Sequence, residues 1–184
     1  MSELYDPEMQ MLVEVWERAN NTVVRVAELP LPVRERLQAM VEMLPLYKLL
    51  GIEIVEQGPS LAVIQMPLRK DVLNENGTLH GGAIATFIDI AAGMAASRGG
   101  SFDPAKDVIV TADLHVRYLR RPRGNKFCAR AHVIDFGRRS TTVDCRVTDQ
   151  ESRIIAVADV SLMVRSREPL TEESPSSPAP ASDS

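Results

Sequence analysis

The segment Asn74–Asp89 reads NENGTLHGGAIATFID, and it decides how the rest of the chain is interpreted. It joins a turn, a histidine, two glycines and the start of a helix that carries one carboxylate. From residue 83 to residue 98 almost every side chain is small or apolar. Because a helix that is apolar on all sides is normally buried on all sides, the sequence predicts a central helix with Asp89 in its interior.

Asp89 has no cation beside it on this predicted helix. The positions three and four residues away hold only alanine, threonine and glycine, so no ion pair can form along the helix. A buried carboxylate without a partner is costly. Asp89 therefore either caps a loop or meets an arginine from a distant strand, or it is a catalytic group in a pocket. We favour the catalytic interpretation.

Gly81 and Gly82 stand at the predicted first turn of the helix, directly after His80. The first N–H groups of a helix have no internal acceptor, and the helix dipole is positive there. Glycine also allows a ligand to approach the backbone closely. Free N–H groups of this kind commonly stabilise a carbonyl oxygen that gains negative charge during a reaction, so the glycine pair is a candidate oxyanion site.

The pattern N-x-x-G-T-L-H-G-G, followed by an aspartate within a helix, resembles the hot-dog-fold acyl-CoA thioesterases of the phenylacetate-degradation (PaaI-like) branch. The resemblance covers residues 46–164. It implies an α+β fold in which an antiparallel sheet wraps a long helix, and active sites that two subunits share. By this resemblance the functional residues are Asp89 as the catalytic carboxylate, Asn74 to orient water, His80 and Gly81 around the oxyanion hole, and Thr111 near the nucleophilic water.

The composition excludes several other classes of protein. The chain has 184 residues, enough for one domain with extensions, and 45% of them are hydrophobic. The net charge of −4 argues against non-specific binding to nucleic acid. The acidic N-terminus is not a signal peptide, and no run reaches the roughly 18 apolar residues of a membrane span. Two cysteines predict reduced thiols in a cytoplasmic protein.

The chain divides into three predicted regions: an N-terminal helical extension at 1–45, a hot-dog thioesterase domain at 46–166 and a disordered tail at 167–184. The tail is rich in proline, serine and alanine. The extension has two helices with apolar stripes, which we expect to pack against the core or a neighbouring subunit; the alternative is a lid over the acyl pocket. The stripes comprise Met9, Leu12, Val13 and Trp16 in the first helix, and Leu37, Met40, Val41 and Leu44 in the second, which Pro32 opens.

Six strands are predicted around the central helix, at residues 52–57, 61–67, 108–119, 126–136, 140–148 and 153–164. Two strands, one long helix and four more strands form an α+β pattern. The strand at 108–119 alternates between apolar and polar residues. Its alternation assigns Leu114 and Val116 to one face and Thr111 to the other.

Arginines cluster after this strand in the sequence RYLRRPRG. They are Arg117, Arg120, Arg121 and Arg123, and Arg138 follows in the next hairpin. Guanidinium groups match phosphate oxygens, so this patch and Gly82 are candidates for binding the substrate, with the phosphates of coenzyme A on the arginines. The alternative is an ordinary solvated rim at the end of a strand.

No metal or cofactor motif is present in the sequence. His80, His115 and His132 lack the spacing of a zinc site, and there is no P-loop or dinucleotide fingerprint. The serine elbow G-x-S-x-G is also absent. We therefore predict hydrolysis of an acyl-CoA thioester without a cofactor, on aryl or phenylacetyl groups or on medium-chain fatty acyl groups. A non-catalytic acyl-CoA-binding module and, less favoured, a hot-dog hydratase are the alternatives.

The spacing of Gly81 and Asp89 favours a site built from two chains. Eight helical residues separate them, which corresponds to roughly 10 Å between the helix start and the carboxylate at ~1.5 Å per residue. Reacting groups must approach within about 3.5 Å. A two-fold dimer solves this by setting the Gly81 end of one helix beside Asp89 of the other. The resemblance implies the same sharing, in a homodimer or in a tetramer that is a dimer of dimers. Asp89 would act as general base or as nucleophile.

Overall fold

The computed structural model describes residues 14–15, 17–100 and 102–166. The predictions for residues 1–13, for Trp16 and for residues 167–184 lie outside this range. They concern the start of the first helix, its apolar stripe and the tail.

The described chain follows the predicted order of elements. Helices lie at Leu31–Glu42 (α1), Pro45–Leu50 (α2) and Gly81–Ala96 (α3). Strands lie at Val24–Arg25 (β1), Glu53–Gly58 (β2), Leu61–Pro67 (β3), Asp107–Tyr118 (β4), Lys126–Phe136 (β5), Thr141–Thr148 (β6) and Ile154–Ser166 (β7). Each of the six predicted strands is present. The two-residue strand β1 is an addition, since Val24 and Arg25 pair with β2 in a region that was expected to be helical.

Local sequence signals set the ends of the helices. Proline occupies the first turn of both α1 and α2, where its missing N–H costs nothing. Gly51 ends α2 in the left-handed conformation, with φ 68°, which glycine adopts at low cost. His80 caps the N-terminus of α3, which begins at Gly81. The helix boundaries in the central segment therefore lie within two residues of those expected from sequence.

The strands form one antiparallel sheet in the order β1-β2-β3-β5-β6-β7-β4 within the described residues. The chain leaves β3, runs through α3, and returns as β4 at the far edge of the sheet. There β4 pairs with β7 along one side only. The sheet thus ends on one side in the short β1 and on the other in a strand of 12 residues. The predicted α+β class is confirmed.

The core forms where this sheet curves around α3. Side chains of α3 such as Phe87, Ile88 and Ala91 are fully buried against apolar residues of the strands, among them Phe127 and Val143. A second, smaller apolar cluster joins residues 15–37 near the N-terminus. The burial of apolar surface therefore stabilises the fold mainly through the contacts of α3 with the sheet. The same helix carries the candidate carboxylate, Asp89.

The prediction that α3 is buried on every side is wrong for the single chain. A stripe of accessible residues runs along the helix, comprising Gly82, Ala85, Thr86, Asp89 and Gly93. These positions are three or four apart and so share one face. The sheet covers the other faces and leaves this one open. Asp89 consequently lies at an accessible surface of an otherwise apolar helix.

The predicted alternation of β4 is also wrong, because the strand contains a bulge. Thr111 pairs with Leu162 and Asp113 with Ser161, so Ala112 is an extra residue. A bulge of this kind reverses the face on which the following side chains lie. Thr111 consequently shares the helix-facing side with Leu114 and Val116, rather than opposing them. The bulge brings a hydroxyl towards α3 that simple alternation would have pointed away.

Both cysteines are free, as predicted. Cys145 is fully buried on β6, and burial raises the pKa of its thiol to about 12, with the neighbouring charge of Asp144 adding to the effect. Burial likewise raises the pKa of the partly buried Cys128. Both thiols are therefore protonated at neutral pH.

Candidate active site

Asp89 is held by a single hydrogen bond from β4. The hydroxyl of Thr111 donates to Asp89 Oδ1 at 2.6 Å. Within the described residues no partner contacts Oδ2, so this oxygen is available to a ligand or a water molecule. This hydrogen bond joins two residues that are 22 positions apart in the chain. The resemblance described above assigns both residues to the same reaction. The alternative prediction, that Asp89 meets a distant arginine, does not match its hydrogen bonding here.

Asp89 lines a cavity of about 380 Å³ between α2, α3 and β4. Most of its wall is apolar, including Ile90 and Ile109, and Thr111 and Tyr47 add hydroxyl groups. Burial raises the pKa of Tyr47, and the charge of Asp89 raises it further. The phenol therefore remains protonated and can act as a hydrogen-bond donor. The cavity combines a carboxylate, two hydroxyl groups and apolar walls, which suits a ligand with one reactive polar group.

The start of α3 presents one available backbone donor. His80 caps the helix, and its Nδ1 accepts from the Gly82 N–H at 2.8 Å. The Gly81 carbonyl accepts from the hydroxyl of Tyr118 at 2.9 Å. The Gly81 N–H donates to no acceptor within the described part of the chain. Of the glycine pair, Gly81 is thus the residue that can stabilise a negatively charged oxygen, while the N–H of Gly82 is already engaged.

The cap also fixes the tautomer of neutral His80. Because Nδ1 accepts a hydrogen bond, the ring proton of the neutral imidazole must be on Nε2. The His80 side chain is exposed, so Nε2–H is a second donor beside the helix start. This assignment follows from the hydrogen-bond pattern around the ring.

Asn74 organises the loop before the helix. Its side-chain oxygen accepts from the N–H groups of Asn76 and Thr78, each at 3.0 Å, and its amide nitrogen donates to the Thr78 hydroxyl at 3.0 Å. Gly77 completes the turn with φ 67°. No hydrogen bond joins Asn74 to Asp89 among the residues described. Asn74 therefore belongs with His80 and Gly81, at the helix start.

The predicted site residues thus form two groups within one chain. Asp89 and Thr111 make one group, and Asn74, His80 and Gly81 make the other. Along α3 the two groups are separated by roughly 10 Å, at ~1.5 Å per residue. The two groups therefore lie about two turns of α3 apart.

The arginines are also divided between different places. Arg120 and Arg121 are exposed just after Tyr118, whose hydroxyl touches the helix start. Arg138 lies near Gly99, beyond the opposite end of α3. Arg117 lines a groove with β6 and β7 residues and lies on the outer face of the sheet, because its neighbour Val116 faces the core. Arg123 forms an ion pair with Glu151 at 3.5 Å, and its N–H donates to Asp149. Within the described residues, the five arginines therefore do not form a single patch.

The remaining surface of the described residues shows neither a metal site nor a membrane-spanning helix. In the described ranges, no group of three or more His, Cys, Asp or Glu side chains is placed to hold a metal ion. His115 and His132 are exposed on different strands. No described helix has the length and apolar character needed to cross a membrane.

Comparison with known proteins shows the family to which the chain belongs. The sequence profile of the Thioesterase superfamily matches residues 76–156, a range that contains Asp89 and Thr111. A putative esterase of Haemophilus influenzae is 30% identical over 118 residues, which cover 62% of this chain and 81% of the relative. The chain belongs to the Thioesterase superfamily. It is a thioester hydrolase, as predicted.

Further relatives of this thioesterase are more distant. A 1,4-dihydroxy-2-naphthoyl-CoA hydrolase of Listeria monocytogenes is 23% identical over 122 residues, covering 66% of this chain and 97% of the relative. The PaaI protein of the phenylacetic acid degradation operon of Escherichia coli superposes with a TM-score of 0.60 at 22% identity, over 70% of this chain and 90% of that one. At this identity the superposition concerns the fold, and it confirms the hot-dog architecture.

Two tyrosines of this thioesterase escaped the sequence analysis. Tyr47 lines the Asp89 cavity from α2, and Tyr118 ties the end of β4 to Gly81. The chain contains only 3 tyrosines, so each of them could have been considered a candidate site residue from the sequence. The location of Tyr47 was not predictable, since it reaches the cavity through helix packing. The alternation of the strand assigns Tyr118 to the face of Leu114 and Val116, and this is the face that the structure turns towards α3.

Removing the Thr111 hydroxyl tests whether it positions Asp89 for the reaction. Thr111→Val keeps the branched shape, so we expect little change in melting temperature. We expect kcat for acyl-CoA hydrolysis to fall about 10- to 100-fold, which corresponds to a lost hydrogen bond to a charged group. Thr111→Ser keeps the donor and is the matched control, with most of the activity retained. Equal rates for the valine variant and the wild type would exclude a positioning role.

Proposed function

We propose that this thioesterase hydrolyses acyl-CoA thioesters, with aryl, phenylacetyl or medium-chain acyl groups as substrates. The observation that carries the proposal is the Asp89 carboxylate, held by Thr111 on the wall of a largely apolar cavity of about 380 Å³. The similarity to the 1,4-dihydroxy-2-naphthoyl-CoA hydrolase of Listeria and to the PaaI protein of Escherichia supports the substrate class. With two free cysteines, the protein suits the reducing cytoplasm, where we expect it to act.

In the proposed reaction the thioester carbonyl accepts hydrogen bonds from the Gly81 N–H and from His80 Nε2–H. Asp89 removes a proton from water, whose oxygen attacks the carbonyl carbon. The C–S bond then breaks, and the proton passes from Asp89 to the leaving thiolate, so that a free acid and coenzyme A form. The donors act where negative charge develops on the carbonyl oxygen.

Asp89 could instead attack the carbonyl directly. An anhydride would then form as the thiolate leaves, and water would hydrolyse it. Both routes use the same residues and give the same products. Single-turnover hydrolysis in heavy-oxygen water distinguishes them, because label found in the protein indicates the covalent route.

We propose further that each site is shared between two subunits. Three features support this: β4 is a 12-residue edge strand paired on one side only, the accessible stripe of α3 carries the small residues Gly82, Ala85 and Gly93, and the two groups of site residues are too far apart in one chain. An unpaired edge of this length is a template for pairing with another strand. A two-fold axis beside β4 would extend the sheet and set the start of one α3 beside the partner subunit's Asp89.

The same two-fold arrangement accounts for the distribution of arginines. Antiparallel helices bring opposite ends together, so Arg120 and Arg121 of one subunit and the partner subunit's Arg138 lie at the same end of the dimer. We propose that Arg120 and Arg121 bind the phosphates of coenzyme A there. Two such dimers would form the tetramer implied by the resemblance.

Asp89→Asn tests the assignment of the catalytic carboxylate. The change removes the negative charge and keeps the shape and the Thr111 contact, so folding and acyl-CoA binding should persist. We expect kcat to fall about 10²- to 10⁴-fold in a thiol-release assay, the usual loss for a general base. Retention of more than about a tenth of the wild-type rate would contradict the assignment.

Gly81→Pro tests the oxyanion donor with little change to the helix. Gly81 is the first residue of α3, where proline is favoured, and His80 already has the extended backbone, with φ −68° and ψ 139°, that precedes proline. The variant loses the N–H, and we expect kcat to fall about 10²- to 10³-fold. Gly81→Ala is the matched control, since its added Cβ would meet Tyr118 only at 3.6 Å, an ordinary contact.

Mixing these inactive variants tests the shared site. Subunits carrying Asp89→Asn and subunits carrying Gly81→Pro should form heterodimers that contain one intact site and one doubly altered site. With free exchange about half of the dimers are mixed, so activity should recover to about a quarter of wild type. Heterodimers shown by mass spectrometry to form without any recovery would place the whole site within one chain.

Arg120→Ala tests the phosphate assignment. Because the side chain would contact coenzyme A and not the acyl group, we expect KM for acyl-CoA to rise about 5- to 30-fold with little change in kcat. The corresponding acyl-pantetheine thioester, which lacks the nucleotide, should be unaffected. Arg130→Ala, at an exposed position of β5, is the control. Equal effects on both substrates would contradict the assignment.

A further inference from the structure

A second cavity lies behind the Asp89 cavity. It has a volume of about 250 Å³ and is enclosed by the N-terminal residues 15–29, by α1, by β2 and by the C-terminal half of α3. Its walls are mainly aliphatic and include Ala19, Leu37 and Leu44. We call this cavity the distal chamber. The apolar stripe predicted for the second helix lines it. Two residues of that stripe also pack against neighbouring apolar side chains, Val41 in the main core and Leu37 in the smaller N-terminal cluster.

The distal chamber adjoins the Asp89 cavity. Tyr47 and Met94 line both, so these two side chains stand between the cavities. Met94 follows Asp89 by five residues on α3, and Arg98, at the chamber wall, follows by nine. Methionine is unbranched and flexible, so a ligand whose reactive group lies at Asp89 would reach the chamber along α3 by displacing the Met94 side chain.

We propose that the distal chamber receives the end of a straight acyl chain of roughly eight to twelve carbons, so that the N-terminal region determines chain length. The proposal rests on the function proposed above and narrows its substrate class. From Asp89 to Ala96, the last residue of α3, the helix rises about 10.5 Å at ~1.5 Å per residue. An extended chain covers about 3.8 Å in three bonds, so about eight bonds span this distance, and the chamber continues beyond it to Arg98.

The size and chemistry of the chamber fit such a chain. A cavity of about 150 Å³ with aliphatic walls is sufficient to hold benzene, so about 250 Å³ accommodates several methylene groups and a methyl end. Each methylene that leaves water for an apolar wall strengthens binding by about fourfold. A phenylacetyl group is too short to pass Met94 and would remain in the Asp89 cavity.

The side-chain amide of Gln57, in the chamber wall, is engaged by the protein itself. Gln57 accepts from the Arg98 guanidinium at 3.0 Å and donates to the Met94 carbonyl at 3.5 Å. Burial lowers the pKa of Arg98 to about 10, which leaves it charged at neutral pH. Both the oxygen and the nitrogen of the Gln57 amide are hydrogen-bonded to the protein, so the amide does not require a hydrogen bond from a ligand. We therefore infer that an apolar chain end occupies the chamber.

Filling the chamber tests the proposal. Ala19 is 3% exposed and lines the chamber, so Ala19→Phe places a ring in it. We expect kcat/KM for decanoyl-CoA to fall at least tenfold, since several buried methylenes lose their place. Butanoyl-CoA and phenylacetyl-CoA should change by less than about twofold, because they end before Met94. Ala27→Phe, an identical substitution at an exposed position of the same region, should leave all three substrates unchanged.

Binding of non-hydrolysable thioethers gives a readout that does not depend on catalysis or on the stability of one variant. For the wild type, calorimetry should show affinity rising from S-butyl-CoA to S-decyl-CoA and levelling off beyond roughly twelve carbons. Leu44→Trp, at a half-exposed wall position, is a second filling variant and should remove the advantage of the decyl chain.

The possible outcomes separate this proposal from the proposed function. Equal affinity of butyl and decyl thioethers for the wild type, or a uniform effect of Ala19→Phe on long and short substrates, would overturn the distal chamber as an acyl site. Failure to hydrolyse any acyl-CoA would overturn the proposed function, whereas the thioether series would still report on the chamber.

Discussion

The hydrogen bond from Thr111 to Asp89 connects the two elements on which the site depends. It joins the central helix, which the sheet surrounds, to the edge strand, which pairs along one side only. The contact exists because a bulge at Ala112 turns Thr111 towards the helix. In a regular strand of the same sequence, without the bulge, Thr111 and Leu114 would lie on opposite faces, and the carboxylate would lie in the cavity without a fixed orientation.

Burial of α3 and accessibility of Asp89 are opposing requirements on one helix. The apolar side chains drive α3 into the sheet, while a carboxylate must keep contact with water or a ligand. The structure resolves this by concentrating small residues and Asp89 on one stripe and bulky residues such as Phe87 and Ile88 on the others. The reactive face is consequently also the face that a second subunit would cover.

Much of this arrangement could be predicted because it is local in sequence. The glycine pair, the capping histidine and the run of small residues determine the start of α3 through neighbouring positions alone, and Asp89 stood out as a charge in an apolar helix. The face of Thr111 could not be predicted from alternation, because the bulge depends on the register with β7. The resemblance to a family suggested Thr111 as a site residue, whereas the alternation of the strand assigned its side chain to the wrong face.

The distal chamber shows a second limit of sequence interpretation. The apolar stripe of α1 was recognised, but a stripe that packs against a core and a stripe that lines a cavity have the same periodicity. The difference arises from the distance at which α1 is held from α3, which depends on the connection through α2 and on β1. Both are tertiary features that no single segment encodes.

The state of the cysteines has a practical consequence for measuring the enzyme. Chromogenic disulfides such as Ellman's reagent detect coenzyme A by reacting with thiolates, and an ordinary thiol with a pKa of about 8.5 reacts readily. Cys145 is inaccessible and its pKa is about 12, and the pKa of Cys128 is also raised. The protein should therefore contribute little background colour, and the native enzyme can be followed continuously without replacing its cysteines.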